Sequence, residues 1–109
     1  MSRISTHVLD TVLGKPAAGV PVILEKQDHQ GWTEISRADT DQDGRCQNLA
    51  TDVSSAIYRI TFQTAAYLSH QGRKTIYPEI SITFECDGAS HYHLPLLLSD
   101  NSYTTYRGS

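Results

Sequence analysis

Two histidines could transfer protons, because each is expected on a strand face beside apolar neighbours. His7 shares its face with Leu9 in the run STHVLD, and His93 shares its face with His91 in the run HYHLPLLL. A free imidazole has a pKa of about 6.5, so it can accept or donate a proton near neutral pH. A lone strand histidine is more often an ordinary exposed or hydrogen-bonded residue, and the residues alone leave that interpretation open.

A metal site is the alternative chemistry for the same histidines. His91-x-His93, joined by His7, would supply three imidazoles, a set that zinc accepts. The HxH spacing is a weak signal, and no Asp, Glu or Cys stands beside it in a persuasive ligand arrangement. We therefore favour a site without metal and keep the metal-dependent alternative open.

Arg45 and the tail Tyr106-Arg107-Gly108-Ser109 are the other candidates. Arg45 follows the turn cluster DTDQDG at residues 39–44, whose Asx side chains can hydrogen-bond nearby backbone and fix its position. A guanidinium held there can stabilise an oxyanion, although a solvated loop arginine is the alternative. The tail combines a ring that carries a hydroxyl with a rigid fork of donors, which indicates docking rather than fraying. The simpler interpretation is that Tyr106 is an ordinary residue of a C-terminal strand and that Arg107 is a surface charge.

Strands must position these residues, because alternation of apolar and polar residues dominates the chain. Seven or eight short strands are predicted, with one short helix over residues 65–72 that stops at Gly72. Residues 14–16 are expected to be a break between strands, and Asp87-Gly88 is typical of a hairpin. The expected architecture is an all-β antiparallel sandwich. The predicted strands cover residues 4–10, 20–25, 32–38, 57–64, 80–86, 91–99 and 101–107, and Arg45 is expected to begin a shorter one.

The strand that carries His93 has two unlike faces. Period two places Tyr92, Leu94, Leu96 and Leu98 on a core face, and His91, His93, Pro95 and Leu97 on the other. A sandwich of this size buries one face of each sheet, so the second face would expose apolar surface in a monomer. That surface predicts a partner interface or a ligand site.

Length and composition limit the remaining possibilities. The 109 residues predict one domain, 1–109, and a net charge of -3 argues weakly against nucleic acid as a partner. No apolar run suits a membrane span, and no secretion signal is visible, so we expect a cytoplasmic protein. Cys46 and Cys86 are expected to be reduced thiols, with a Cys46–Cys86 disulfide as the competing option.

Three segments together resemble transthyretin-like proteins, specifically the 5-hydroxyisourate hydrolases. They are STHVLD with GKPA at residues 5–17, TDQDGR at residues 40–45, and HYHLPLLLS leading to SYTTYRGS at residues 91–109. The resemblance covers the whole chain, and the C-terminal tetrad is its most specific part, because the hormone-carrying transthyretins differ there. Many members have Pro and Gly where this chain has Asp100 and Ser102, so a changed loop is expected beside an intact site.

The resemblance implies a transthyretin-like sandwich that assembles as a homotetramer, a dimer of dimers, with the outward face of the His93 strand lining a channel. It implies hydrolysis of 5-hydroxyisourate, in urate degradation, to 2-oxo-4-hydroxy-4-carboxy-5-ureidoimidazoline, with no metal or organic cofactor. A small-ligand carrier that uses the same channel is the alternative. Carried over by position, the catalytic residues are His7, Arg45, His93 and Ser109, and the substrate-binding residues are His7, Arg45, Tyr106 and Arg107.

Overall fold

Short alternating runs become nine strands and one helix in the computed structural model, which describes residues 2–108. The helix, Thr64–Ser69, begins one residue before the predicted run and ends three residues before Gly72. Gly72, which follows the helix, has a φ of 68°. The elements are β1 (Arg3–Asp10), β2 (Lys15–Pro16), β3 (Pro21–Asp28), β4 (Gly31–Asp39), β5 (Arg45–Thr51), β6 (Ala56–Phe62), α1 (Thr64–Ser69), β7 (Ile80–Cys86), β8 (His91–Leu98) and β9 (Tyr103–Thr105).

Two sheets form the sandwich, so the predicted all-β fold is confirmed. One sheet has the order β2-β1-β8-β9, and β5 pairs with the first part of β1. The other has the order β4-β3-β6-β7. Of the strand pairs described in residues 2–108, β1 with β8 is parallel and the rest are antiparallel. This parallel pair joins strands from the two ends of the chain and builds the surface on which the candidate site lies.

The core lies between the sheets and follows the predicted alternation. Side chains from three strands are at most 7% exposed. Burying each large apolar side chain contributes roughly 1.5–3 kcal/mol, so these strands hold the two layers together. The inward residues are Val22 and Leu24 of β3, Tyr58, Ile60 and Phe62 of β6, and Tyr92, Leu94, Leu96 and Leu98 of β8.

Two local predictions were wrong. Asp87-Gly88 does not close a hairpin, because β7 and β8 belong to different sheets. The dipeptide still turns the chain: Gly88 has a φ of 80°, and Asp87 Oδ1 accepts a hydrogen bond from the Ala89 N–H at 2.9 Å. Lys15-Pro16 was expected only as a break, but it pairs with the end of β1 as the two-residue strand β2.

Asp10 anchors an ion-pair network at the end of β1. Asp10 is 1% exposed, and its Oδ2 accepts hydrogen bonds from Arg73 Nη1 at 2.6 Å and from the Tyr67 hydroxyl at 2.8 Å. Arg73 Nη2 also lies 2.6 Å from Asp100 Oδ1. Arg73 therefore links Asp100, in the turn where this chain departs from many family members, to the end of β1. Burial opposes ionisation of Asp10, but its hydrogen bonds, first that from Arg73 and then that from the Leu13 N–H, lower its pKa from 3.8 to about 2. The network therefore stabilises the fold above the unfolded pKa of 3.8 and loses that contribution as the pH falls through about 2.

Cys46 and Cys86 are both free thiols, as expected from the sequence, and both are buried. Burial is the main cause that raises the pKa of both thiols, to about 11 for Cys46. Such thiols pack as small apolar groups and are poor nucleophiles. No helix in the described part of the chain is long and apolar enough to cross a membrane.

Candidate active site

The parallel pairing of β1 with β8 brings His7 and His93 to one face of the sheet. In this register Ser5 lies opposite His93, and His7 lies opposite Pro95. Residues two apart along a strand share a face, so the outward side chains of the two strands form one surface. The two imidazole ring centroids are 6.5 Å apart, and the ring planes are inclined by 40°. The structure therefore brings together the two histidines that the sequence singled out.

Arg45 reaches the same surface because β5 pairs with β1, and Arg45 is the register partner of His7. The preceding turn fixes its backbone: Asp41 Oδ1 accepts a hydrogen bond from the Arg45 N–H at 2.9 Å. Gly44 has a φ of 77°, and a Cβ at that position would collide with the carbonyl oxygen of Val8. Only glycine fits there, so the turn holds Arg45 at a defined place beside His7.

A cleft of about 240 Å³ opens on this surface. Two guanidinium groups and two imidazoles line it, and no carboxylate does among the residues described. A cleft rich in donors suits a small molecule with carbonyl oxygens and can stabilise negative charge that develops on one of them. The His7 ring lies beside this cleft rather than in its lining. The lining residues are Arg3, Ser5, Thr6, Arg45, Gln47, His91 and His93.

His93 is half-buried, and its environment favours the neutral imidazole. Burial is the main cause that lowers its pKa, and the positive charge available on His91, His7 and Arg45 lowers it further. Its Nδ1 lies 2.8 Å from Ser5 Oγ. At neutral pH the ring can therefore act as an uncharged hydrogen-bonding group or as a base.

The C-terminal tail docks on His93 through its backbone. The Gly108 N–H donates a hydrogen bond to the His93 carbonyl at 2.7 Å, and the two residues form an isolated β-bridge. A Cβ at Gly108 would lie 2.7 Å from His93 Cδ2, which is closer than real side chains approach. Glycine at this position therefore lets the tail contact the imidazole ring directly.

The tail side chains lie in different environments. The Arg107 guanidinium carbon lies 4.2 Å from the centre of the Tyr92 ring. Since Tyr92 is on the core face of β8, Arg107 lies on the opposite face from His93. Tyr106 is 53% exposed. Ser109 lies outside the described residues, so the catalytic role predicted for it stays a prediction.

The three imidazoles do not converge on a single point. The ring centroid of His93 lies 6.5 Å from that of His7 and 6.0 Å from that of His91. Within residues 2–108, no group of three or more His, Cys, Asp and Glu side chains is arranged to hold a metal ion. The geometry of these side chains thus gives no support to a three-histidine metal site.

Sequence reasoning assigned no role to Arg3, Ser5 or Gln47, which also line the cleft. Period two could have found the first two, because Arg3 and Ser5 precede His7 by even numbers of residues and share its face. The contact of Ser5 with His93 depends on the parallel register, and no local signal in the sequence reports that register.

Comparison with known proteins gives the family. The model of the HIUase/Transthyretin family matches residues 4–108. A 5-hydroxyisourate hydrolase of Salmonella typhimurium is 44% identical over 109 residues, which cover 97% of this chain and 80% of that protein. The structure of Klebsiella pneumoniae 5-hydroxyisourate hydrolase has a TM-score of 0.90 at 33% identity and covers 100% of both chains. Sea bream transthyretin in complex with thyroxine has a TM-score of 0.92 at 34% identity, covering 96% of this chain and 93% of that one. The chain therefore belongs to the HIUase/Transthyretin family.

Proposed function

We propose that this protein hydrolyses 5-hydroxyisourate by opening a cyclic amide, which yields 2-oxo-4-hydroxy-4-carboxy-5-ureidoimidazoline in urate degradation. The observation that carries the proposal is the meeting of His7, Arg45, His93 and the Gly108 backbone on one face of one sheet. The relatives named 5-hydroxyisourate hydrolase support it, because they match nearly the whole chain.

Amide hydrolysis needs an activated water, a stabilised oxyanion and a proton for the leaving nitrogen. His7 and His93 are the groups that can handle protons, and a positioned general base supplies about 10²- to 10⁴-fold. Arg45 lines the cleft beside them and would hold the substrate oxygen that becomes negative. The residues thus supply each requirement without a metal or an organic cofactor.

The tail completes the substrate site in this proposal. Tyr106 exposes its ring and hydroxyl, so it can bind a planar substrate, and Ser109 would contribute to the catalytic group. Arg107 contacts Tyr92, so we propose that it holds the tail in place. The direct substrate contact expected for Arg107 from the sequence remains a prediction.

Assembly would enclose the cleft, and we propose a homotetramer, a dimer of dimers. β7 and β9 are edge strands of the two sheets, and unpaired edges favour pairing with another chain. The face that carries His93 would then line a channel between dimers. Native mass spectrometry or light scattering would test this assembly, and a stable monomer at working concentration would contradict it.

We further propose that residues 1–109 act as one hydrolase domain in the cytoplasm, where free thiols persist.

A small-ligand carrier is the second candidate, because transthyretin in complex with thyroxine shares the backbone. That function gives no reason for His7, Arg45 and His93 to meet, or for glycine to contact His93. Saturable binding of a ligand without turnover of 5-hydroxyisourate would favour the carrier.

The direct test generates 5-hydroxyisourate with urate oxidase and follows its ultraviolet decay with and without this protein. His7→Ala and His93→Ala should each cut turnover by a large factor while the assembly persists. His29→Ala is the matched control, because His29 is exposed in the turn between β3 and β4. Wild-type decay no faster than the spontaneous reaction would end the proposal. Turnover that survives complete chelation is expected, and its loss on chelation would favour the metal-dependent alternative.

Removal of residues 106–109 tests the tail separately. The truncated protein should lose activity and keep its sandwich, because the core strands do not include these residues. A truncated protein with wild-type turnover would remove the tail from the site.

A further inference from the structure

A chain of hydrogen-bonding groups runs behind His93, on the side away from the tail. Ser5 Oγ lies 2.8 Å from His93 Nδ1 and 2.7 Å from His91 Nε2. Arg3 Nη2 lies 3.5 Å from His91 Nδ1, at the outer limit of a hydrogen bond. Ser5 is 4% exposed, so its hydroxyl depends on these two rings for its hydrogen bonds. The family resemblance assigned no role to any of these three partners.

The chemistry of the groups decides which group donates and which accepts at each step of this series of hydrogen bonds. A guanidinium can only donate, and its positive charge disfavours a proton on the nitrogen that faces it. His91 Nδ1 therefore accepts, and the proton of the neutral ring lies on Nε2. That N–H donates to Ser5 Oγ, which leaves the single hydroxyl hydrogen of Ser5 free to donate to His93 Nδ1.

The order of donors and acceptors in these hydrogen bonds sets the tautomer of His93. Since Nδ1 accepts from Ser5, the proton of the neutral ring lies on Nε2, the nitrogen without a hydrogen-bond partner among residues 2–108. Both rings are expected to be neutral at pH 7, because burial first and nearby positive charges second lower the pKa of each. The groups around His93 are Arg3, Ser5 and His7 from β1, Arg45 from β5, His91 from β8 and the Gly108 backbone.

We propose that Ser5 and His91 are positioning residues that fix His93 as the Nε2–H tautomer, so that His93 donates a hydrogen bond to the substrate and His7 is the general base. This inference rests on the proposed hydrolysis. His7 takes a proton from water as the water oxygen bonds to the amide carbon. Arg45 and His93 Nε2–H stabilise the oxyanion, as a neutral imidazole can. The carbon–nitrogen bond then breaks, and His7 returns the proton to the leaving nitrogen, so protons and electrons balance.

The tautomer can be read without substrate. Long-range ¹H–¹⁵N spectra of protein labelled at histidine separate Nε2–H, Nδ1–H and charged rings, and His91→Gln and His93→Gln assign the signals. The wild type should show His93 as Nε2–H at pH 7.5. Ser5→Ala should convert that signal to a mixture, while Ser36→Ala, a half-buried serine of β4, should leave it unchanged. A wild-type His93 in any other state overturns the proposal. Because this measurement needs no turnover, it stays informative even if 5-hydroxyisourate is not the substrate.

Turnover distinguishes the two histidine roles. Glutamine keeps an N–H donor but cannot act as a base at neutral pH. His93→Gln should therefore lower kcat about tenfold, as expected when one hydrogen bond is weakened. His7→Gln should lower kcat by about 10²-fold or more, because no base remains to take the proton from water. The reverse order of effects overturns the assignment.

Ser5 and His91 have a test that a purely structural role would not pass. Ser5→Ala removes the hydrogen bond to the positioned ring and should lower kcat about five- to tenfold, with little change in KM. His91→Phe removes the N–H that orients the Ser5 hydroxyl and should lower kcat in the same direction, by about two- to fivefold. Ser5→Thr retains a hydroxyl and should recover most of the rate. Equal losses in Ser5→Ala and Ser5→Thr, or losses matched by Ser36→Ala, would contradict the positioning role.

Discussion

Replacement of Gly108 with alanine should damage catalysis more than it damages the fold. The added Cβ would lie 2.7 Å from His93 Cδ2 and 3.4 Å from the His93 carbonyl oxygen. Carbon atoms pack best at about 3.5–4.0 Å, so the ring or the tail must move by roughly 0.8 Å. A displacement of about 1 Å at a catalytic group can cost on the order of 10²-fold in rate. We therefore expect kcat/KM for 5-hydroxyisourate to fall by roughly 10- to 100-fold.

The same substitution should leave the free energy of unfolding nearly unchanged. Gly108 is not among the glycines with positive φ, so alanine meets no backbone strain there. Gly72 provides the converse control: its φ is 68°, and a Cβ there would have no atom within 4 Å. Gly72→Ala should lose about 1–2 kcal/mol of stability, the cost of a left-handed residue, and keep its activity.

The two variants are compared by ultraviolet decay of 5-hydroxyisourate and by urea unfolding at a fixed protomer concentration, since assembly makes apparent stability depend on concentration. Activity of Gly108→Ala within twofold of wild type would show that contact between tail and ring does not position His93. Parallel losses of activity in both variants would show that turnover follows general stability.

Burial and charge pairing also predict the behaviour of Arg73, Cys46 and Arg107. Arg73→Met should cost about 3 kcal/mol at pH 7, because it leaves the buried Asp10 carboxylate without its guanidinium. In urea titrations this deficit should shrink as the pH falls toward 3, because Asp10 then becomes protonated in the variant; a constant deficit would contradict the pairing. In the folded protein, Cys46 should react with a thiol reagent at pH 8 roughly 10²-fold more slowly than in urea, and equal rates would refute its burial. Arg107→Met should lower turnover about two- to fivefold, because it removes a stacking contact with Tyr92 that contributes about 0.5–1 kcal/mol. An unchanged rate would show that this contact does not contribute to turnover.

Local periodicity was sufficient to predict the layers of this fold. The alternation in β8 predicted that Tyr92, Leu94, Leu96 and Leu98 are buried, as they are. Pro95, which it placed on the outward face, is buried as well. It also predicted that His93 faces outward. The turn before Arg45 was predictable for the same reason, because Asp41 and Gly44 act on their immediate neighbours. In each case the cause lies within a few residues of the effect.

Strand pairing was not predictable in this way. Asp87-Gly88 carries the chemistry of a hairpin turn, yet the strands around it enter different sheets. Turn residues fix the direction of the backbone locally, whereas the partner of β8 is decided by burial of its apolar face over the core. The parallel register of β1 and β8 depends on that packing, and so does the contact of Ser5 with His93.

The backbone alone cannot decide between the hydrolase and the carrier, because one sandwich serves both kinds of relative, and function depends on sites built on a fold. What separates them here is a set of outward polar side chains that the core does not need. Ser5, His91 and His93 contribute nothing to the apolar layer, and their side chains hydrogen-bond to one another instead. The tautomer proposed for His93 gives this hydrogen-bonded arrangement a purpose in hydrolysis, and a carrier has no use for one.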